Sequence, residues 1–165
     1  MTDAPAPTRS PSGFDLTAPS ESQAVALEHG LTPDEKRVLL QHGTEAPFCG
    51  VLLEEKRSGV FACRLCGLPL FRGGEKFESG TGWPSFTAPF DPAHTRTVTD
   101  TSYGMVRTEI VCARCGSHQG HVFPDGPPPT GLRYCINSVS LQFVPDGEPL
   151  PDPLGRGDQQ ALERA

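Results

Sequence analysis

The stretches Cys63-Arg64-Leu65-Cys66-Gly67 and Cys112-Ala113-Arg114-Cys115-Gly116 decide how this chain folds. Each sets two thiols two residues apart in a tight turn, and the Gly that follows can take the positive φ such a turn needs. Brought together, the two turns give four thiolates in the tetrahedral arrangement that zinc prefers in structural sites. Residues 67 to 111, forty-five in number, separate the pairs. That exceeds the usual zinc-ribbon spacing, so a whole sheet can lie between the halves. A duplicated CxxC-Gly is a strong metal signal; the alternatives are two redox CxxC pairs or the disulfides of a secreted chain. Four protein ligands leave no open position for substrate or water, so the expected cofactor is one structural Zn2+. Its binding would contribute on the order of 10 kcal/mol to folding.

Outward from these turns the chain reads as short strands. Its 165 residues suit one domain with tails. With 18 Pro and 18 Gly, about one residue in five favours turns over long helices. Strand candidates are Gly59 to Ala62, Leu68 to Phe71, Met105 to Val111 and Val139 to Phe143. In the last, Val139, Leu141 and Phe143 alternate with Ser140 and Gln142, as in a half-buried strand. A short helix is expected from Thr32, with an N-cap Thr, Pro33 at the first helical position and Glu35 at N3. Val38 and Leu39 would face the core, and Gly43 can end the helix. Residues 1–30, rich in Ala, Pro, Ser and Thr, read as a disordered arm. Residues 145–165 read as a loose tail.

The formal charge of −6 is opposite to the basic footprint of a nucleic-acid domain. No stretch approaches the roughly 18 apolar residues of a membrane helix. The first thirty residues lack the apolar region of a secretory signal. The expected compartment is the cytoplasm, where thiols stay reduced unless they bind metal or do redox work.

Subtracting four ligands from six cysteines leaves Cys49 and Cys135. Cys135 lies in Arg133-Tyr134-Cys135-Ile136-Asn137, on or beside a strand. Upstream is Ser117-His118-Gln119-Gly120-His121-Val122-Phe123-Pro124-Asp125-Gly126. One thiol, two imidazoles, an Arg, an Asn and an Asp thus follow closely on the second turn. A thiol attacks as its thiolate, which a nearby cation favours; Arg133 and a protonated His are both candidates. Taken singly, the Cys reads as a small buried hydrophobe and each His as a core residue. The cluster, with the other thiols already assigned, points to nucleophilic chemistry.

Four blocks resemble the type B (methionine-R-sulfoxide) reductase family: Gly43-Thr44-Glu45-Ala46-Pro47-Phe48, Gly80-Thr81-Gly82-Trp83-Pro84-Ser85-Phe86, His118-Gln119-Gly120-His121-Val122-Phe123 and Arg133-Tyr134-Cys135-Ile136-Asn137-Ser138. The two CxxC turns match that family's zinc-binding branch. The resemblance covers residues 31–144. It implies a mainly β fold of two antiparallel sheets, a small sandwich or open barrel, with a short N-terminal helix and few others. It also implies thiol-based reduction of methionine-R-sulfoxide, with Cys135 as nucleophile. By the same resemblance Trp83 walls the pocket that receives the substrate methyl, and His118, His121 and Asn137 surround the sulfoxide oxygen. Asp125 and Arg133 support that network.

Two departures stand out. Gln119 replaces the Leu of the family's His-Leu-Gly-His. Thr81 occupies a position where many members carry a resolving Cys, and a Thr cannot form a disulfide. Sulfoxide sulfur is a poor electrophile until its oxygen is protonated, so an acid is needed: His121, His118 or a held water. Attack leaves Cys135 as a sulfenic acid. A second thiol then forms a disulfide, and an external dithiol such as thioredoxin restores both. Cys49 is the remaining thiol for that step; the alternative is direct reduction of Cys135 by an external thiol. The chain is expected to act as a monomer on free or protein-bound sulfoxide. Two other readings stay open. A zinc-ribbon binding module explains the four cysteines but not the rest, and a Cys–His hydrolase would leave no sulfenic acid.

Overall fold

β-branched and aromatic residues favour pleated, half-buried surfaces, and the short runs that carry them pair into two antiparallel sheets. The structure, a computed structural model, describes residues 8–158. Its strands are β1 (Gly59–Cys63), β2 (Pro69–Arg72), β3 (Lys76–Phe77), β4 (Ser85–Phe86), β5 (Thr95–Asp100), β6 (Arg107–Cys112), β7 (His118–Phe123), β8 (Arg133–Ile136) and β9 (Leu141–Pro145). One sheet has the order β2-β1-β9 and the other β3-β4-β8-β7-β6-β5. The chain leaves the small sheet after β2, builds the large one, and returns as β9 to pair with β1 from Gly59↔Pro145 to Cys63↔Leu141. The two sheets share one core. Phe86 of β4 stacks on Phe71 of β2 at 4.4 Å and meets Phe61 of β1 edge-on at 5.1 Å. Such pairs add about 0.5–1.5 kcal/mol each beyond their buried area.

The helix expected at Thr32 is α2 (Pro33–Leu39). Thr32 and Glu35 cap each other's backbone N–H groups, and Val38 and Leu39 are buried. Its end differs from expectation: His42, not Gly43, takes the left-handed φ of 57°. Gly43 instead donates its N–H to Arg37 O at 2.9 Å.

Three sequence readings are corrected. Residues 8–30 of the expected disordered arm are ordered, and the remainder of that arm, 1–7, lies outside the described residues. Phe14, alone among polar neighbours, is fully buried and packs edge-on against Phe90 and His94. Ser20 and Gln23 form a capping box for a further helix, α1 (Glu21–His29), which carries no buried residue and so lacked the apolar stripe that marks a helix in sequence. Second, residues 145–158 of the expected loose tail bury Leu150 and Asp158; residues 159–165 lie outside the described residues. Third, the strand expected over Val139–Phe143 begins only at Leu141, because Ser138–Ser140 turn as a 3-10 helix. There the polar Ser138 and Ser140 are buried, and the Ser140 hydroxyl donates to His118 O at 2.9 Å. β5 was missed because it is an edge strand with four exposed central residues and no apolar face.

Candidate active site

The two CxxC turns are near copies. Gly67 N–H donates to Cys63 O at 2.9 Å and Gly116 N–H to Cys112 O at 2.8 Å. The two glycines take φ of 84° and 76°, as each turn requires. Cys63 ends β1 in the small sheet and Cys112 ends β6 in the large one, so the cluster ties the two sheets together. The four sulfurs all lie within 4.8 Å of one another, with Cys63–Cys115 and Cys66–Cys112 at 3.6 Å. A tetrahedron with metal–sulfur bonds of about 2.3 Å has edges near 3.8 Å, whereas a disulfide would bring two sulfurs to about 2.05 Å. The cluster is therefore shaped to hold a metal ion. Gln119, the departure from the family's Leu, is fully buried beside it and donates Nε2–H to Cys63 Sγ at 3.7 Å and to Ser117 Oγ at 3.1 Å.

Gln119 also explains how two histidines three residues apart share a face. Side chains alternate along a strand, so His118 and His121 would point to opposite sides. β7 carries a bulge: Val111 of β6 pairs with His118 and Ile110 with Gly120. Gln119 is the extra residue. Its insertion restores the phase, and the two imidazoles lie 5.6 Å apart. Across the next ladder His121 pairs directly with Cys135 of β8. Gly120 is required between them, since a Cβ there would fall 2.0 Å from Cys135 O.

Cys135 opens into a pocket of about 100 Å³ lined by Thr44, Trp83, Arg107, Gly120, His121, Phe123 and Asn137. Burial pushes its thiol above the ordinary value, while the Thr81 hydroxyl and the Arg133 charge pull the other way. Asp125 holds Arg133 through two bonds of 2.9 and 3.2 Å, and the guanidinium lies 4.4 Å over the Phe123 ring. Trp83 donates Nε1–H to Glu45 O at 3.0 Å. His121 Nε2 meets Asp100 Oδ2 at 2.7 Å. The Ser102 hydroxyl, and then His121, hold the Asp100 carboxyl well below the usual range.

Trp83, His121 and Asn137 thus surround Cys135, but the other predicted residues sit further out. His118 lines a larger adjoining cavity, together with His121. Its Nδ1 meets Glu109 Oε2 at 2.6 Å, and burial lowers its pKa. Asn137 lines the pocket with both side-chain polar atoms engaged, Nδ2 with Gln119 O and Oδ1 with Glu45 N. Asp125 is largely exposed, behind Arg133. Cys49 is exposed and lies outside the pocket lining, although its neighbour Phe48 donates its N–H to Gly82 O at 2.7 Å. Sequence reading missed Glu45, Asp100 and Glu109. Glu45 belongs to a quoted block, and its buried carboxylate accepts from Val139 N–H at 2.9 Å. Asp100 and Glu109 carry no local signal of this role, because their imidazole partners come from other elements of the fold.

A half-buried thiol and a carboxylate-paired imidazole line one pocket, on two sheets joined by a cysteine cluster that could hold a metal, an arrangement suited to a thiol-dependent enzyme. The SelR domain matches residues 31–145. A peptide methionine sulfoxide reductase MsrB of Caulobacter vibrioides is 70% identical over 159 residues, covering 96% of this chain and 99% of that one. One from Xylella fastidiosa (strain M23) is 63% identical over 145 residues, covering 88% and 94%. One from Pseudomonas putida (strain W619) is 56% identical over 115 residues, covering 70% and 86%. The chain belongs to this SelR family of MsrB-type peptide methionine sulfoxide reductases.

Proposed function

We propose that this protein is a peptide-methionine (R)-S-oxide reductase, with Cys135 as nucleophile. The observation that carries the reading is the direct pairing of Cys135 with His121 in a pocket walled by Trp83. The Cys135 thiolate attacks the sulfoxide sulfur while the oxygen takes a proton. His121 is the favoured donor: Asp100 holds its Nε2, which leaves Nδ1 to carry a proton toward the pocket. Buried His118 and paired Asn137 shape the site and fix its polar network. Trp83 receives the methyl group, and Arg133, braced by Asp125, favours the thiolate. The oxygen then passes from the substrate sulfur to Cys135 Sγ as the transient sulfur–sulfur bond breaks, so methionine leaves and Cys135 becomes a sulfenic acid.

Recycling falls to Cys49. Its thiol condenses with the sulfenic acid, releasing water and forming a disulfide that thioredoxin then reduces. The Phe48–Gly82 hydrogen bond supports this route, because it lays the Cys49 segment against the loop bearing Thr81 and Trp83. The two Cα atoms must approach to about 4.4–6.8 Å. The cysteine cluster holds one structural zinc; Cys63, Cys66, Cys112 and Cys115 are its ligands. The protein works as a cytoplasmic monomer. Among the described residues no helix is long and apolar enough to cross a membrane.

One set of variants tests it. Zinc-loaded Cys135→Ser should fold normally and reduce neither diastereomer, whereas wild type turns over only the R form with dithiothreitol. Cys49→Ser should release one methionine per chain, accumulate sulfenic acid and lose most thioredoxin-driven turnover. Activity in Cys135→Ser sinks the assignment; unimpaired thioredoxin recycling in Cys49→Ser sinks the resolving role alone.

A further inference from the structure

Beside the thiol pocket, His42, Glu109 and His118 converge from three elements. His42 follows α2, Glu109 lies on β6 and His118 on β7. Both imidazoles aim Nδ1 at the same carboxylate oxygen, Glu109 Oε2, each at 2.6 Å. One ligand atom from each residue lies within 4.8 Å of the others. The three line a cavity of about 580 Å³ that reaches solvent along His42, whose side chain is 61% exposed. We propose that His42, Glu109 and His118 form a second metal site, for a borderline divalent cation, whose occupation pulls His118 out of the polar network that shapes the neighbouring sulfoxide pocket. The inhibitory half of this proposal rests on the function assigned above; the cation site does not.

Two imidazole nitrogens and a carboxylate oxygen suit ions of the Zn2+, Ni2+ and Co2+ type, and a three-ligand set leaves positions for water. As hydrogen bonds, the two short contacts place both protons on Nδ1. A cation must displace those protons, so each ring must carry its proton on Nε2. For His42 that nitrogen faces solvent. For His118 the Nε2 is buried and has no partner, so the move gives up the hydrogen bond to Glu109 and leaves a buried donor unpaired, a cost that the metal–nitrogen bond has to exceed. Metal–nitrogen and metal–oxygen bonds of about 2.1 Å set neighbouring donors about 3.0 Å apart in an octahedron and about 3.4 Å in a tetrahedron. Each imidazole nitrogen therefore has to draw back from Glu109 Oε2 by about 0.4–0.8 Å, and exposed His42 is free to move. The cations nearby are already paired: Arg37 with Asp34 at 2.9 Å and Arg107 with Asp100 at 3.3 Å.

The probe is Ni2+, which neither oxidises nor reduces thiols, titrated by calorimetry into reduced, zinc-loaded Cys49→Ser protein. One Ni2+ should bind per chain, and single-turnover reduction should fall with the same midpoint. Adding His42→Ala should weaken binding by at least about tenfold, since losing even an outer-shell partner costs that much, and should restore turnover in Ni2+. Glu109→Gln should weaken binding likewise. No binding beyond the structural zinc, or binding untouched by His42→Ala, overturns the site. Binding that depends on His42 but leaves turnover intact overturns the inhibitory half, and with it the shaping role given to His118 beside the sulfoxide pocket.

Discussion

At the scale of single residues, Cys135 is held between opposing demands. Burial disfavours its thiolate, and the Arg133 charge opposes burial. Arg133 is itself braced, with Asp125 the largest influence on it. The thiol should therefore stay mostly protonated near neutral pH and become reactive as the pH rises. In Cys49→Ser protein the rate of alkylation by iodoacetamide should climb through a midpoint above the ordinary thiol value. Arg133→Leu should move that midpoint higher still, because the burial remains and the cation is gone. A midpoint at or below the ordinary value in the parent protein would contradict this balance. Cys135, Arg133 and Asp125 were all legible from the chain, because they sit within one short stretch. Glu45 and Asp100 were not read as functional. What marks them is a contact across strands: Glu45 N–H on Asn137, ninety-two residues away, and Asp100 on His121, twenty-one away.

At the scale of elements, the bulge in β7 decides the site. A regular strand would turn His118 away from His121, and the extra residue Gln119 brings them back to one face. Nothing in His118-Gln119-Gly120-His121 announces a bulge except Gly120, since an isolated Gly in a strand marks a bulge or a close backbone approach. Here it marks the approach to Cys135 O. Gly120→Ala must push β8 away or break the pairing of His121 with Cys135. Overpacking of this kind costs about 1–3 kcal/mol, and displacing a reacting group by 1 Å can cost on the order of 100-fold in rate. Urea denaturation and single-turnover assays should both register the change. Gly74→Ala, where a Cβ meets nothing within 4 Å, is the matched control and should alter neither by a measurable amount. If Gly120→Ala behaves like Gly74→Ala, the bulge does not set the geometry.

At the scale of the whole molecule, the segments 8–30 and 145–158 pack against the cysteine cluster's side of the fold. The polar composition of residues 1–30 and 145–165 suggested segments with nothing to bury, because composition does not reveal where a lone Phe14 or Asp158 will find a partner. The partner of Asp158 is Arg114, inside the second CxxC turn. Their side chains are 2% and 0% exposed and bonded at 2.8 Å. The same guanidinium donates to Cys66 O at 2.8 Å, in the first turn, and to Asp15 O at 3.1 Å, in the N-terminal segment. One buried cation thus joins both cysteine turns to the segments that carry Asp15 and Asp158. Removing one partner of a buried pair leaves the other charge uncompensated and costs about 3–5 kcal/mol. Arg114 can absorb little of that loss, since its Nε already lacks a partner. Asp158→Ala should therefore lower stability by roughly that amount, with the metal released at lower urea than in wild type. Asp125→Ala removes a carboxylate from a largely exposed position and should cost no more than about 1 kcal/mol. The two variants carry the same change of charge, so a comparison of their urea midpoints isolates burial. Equal midpoints would show that the C-terminal segment is an appendage rather than part of the fold.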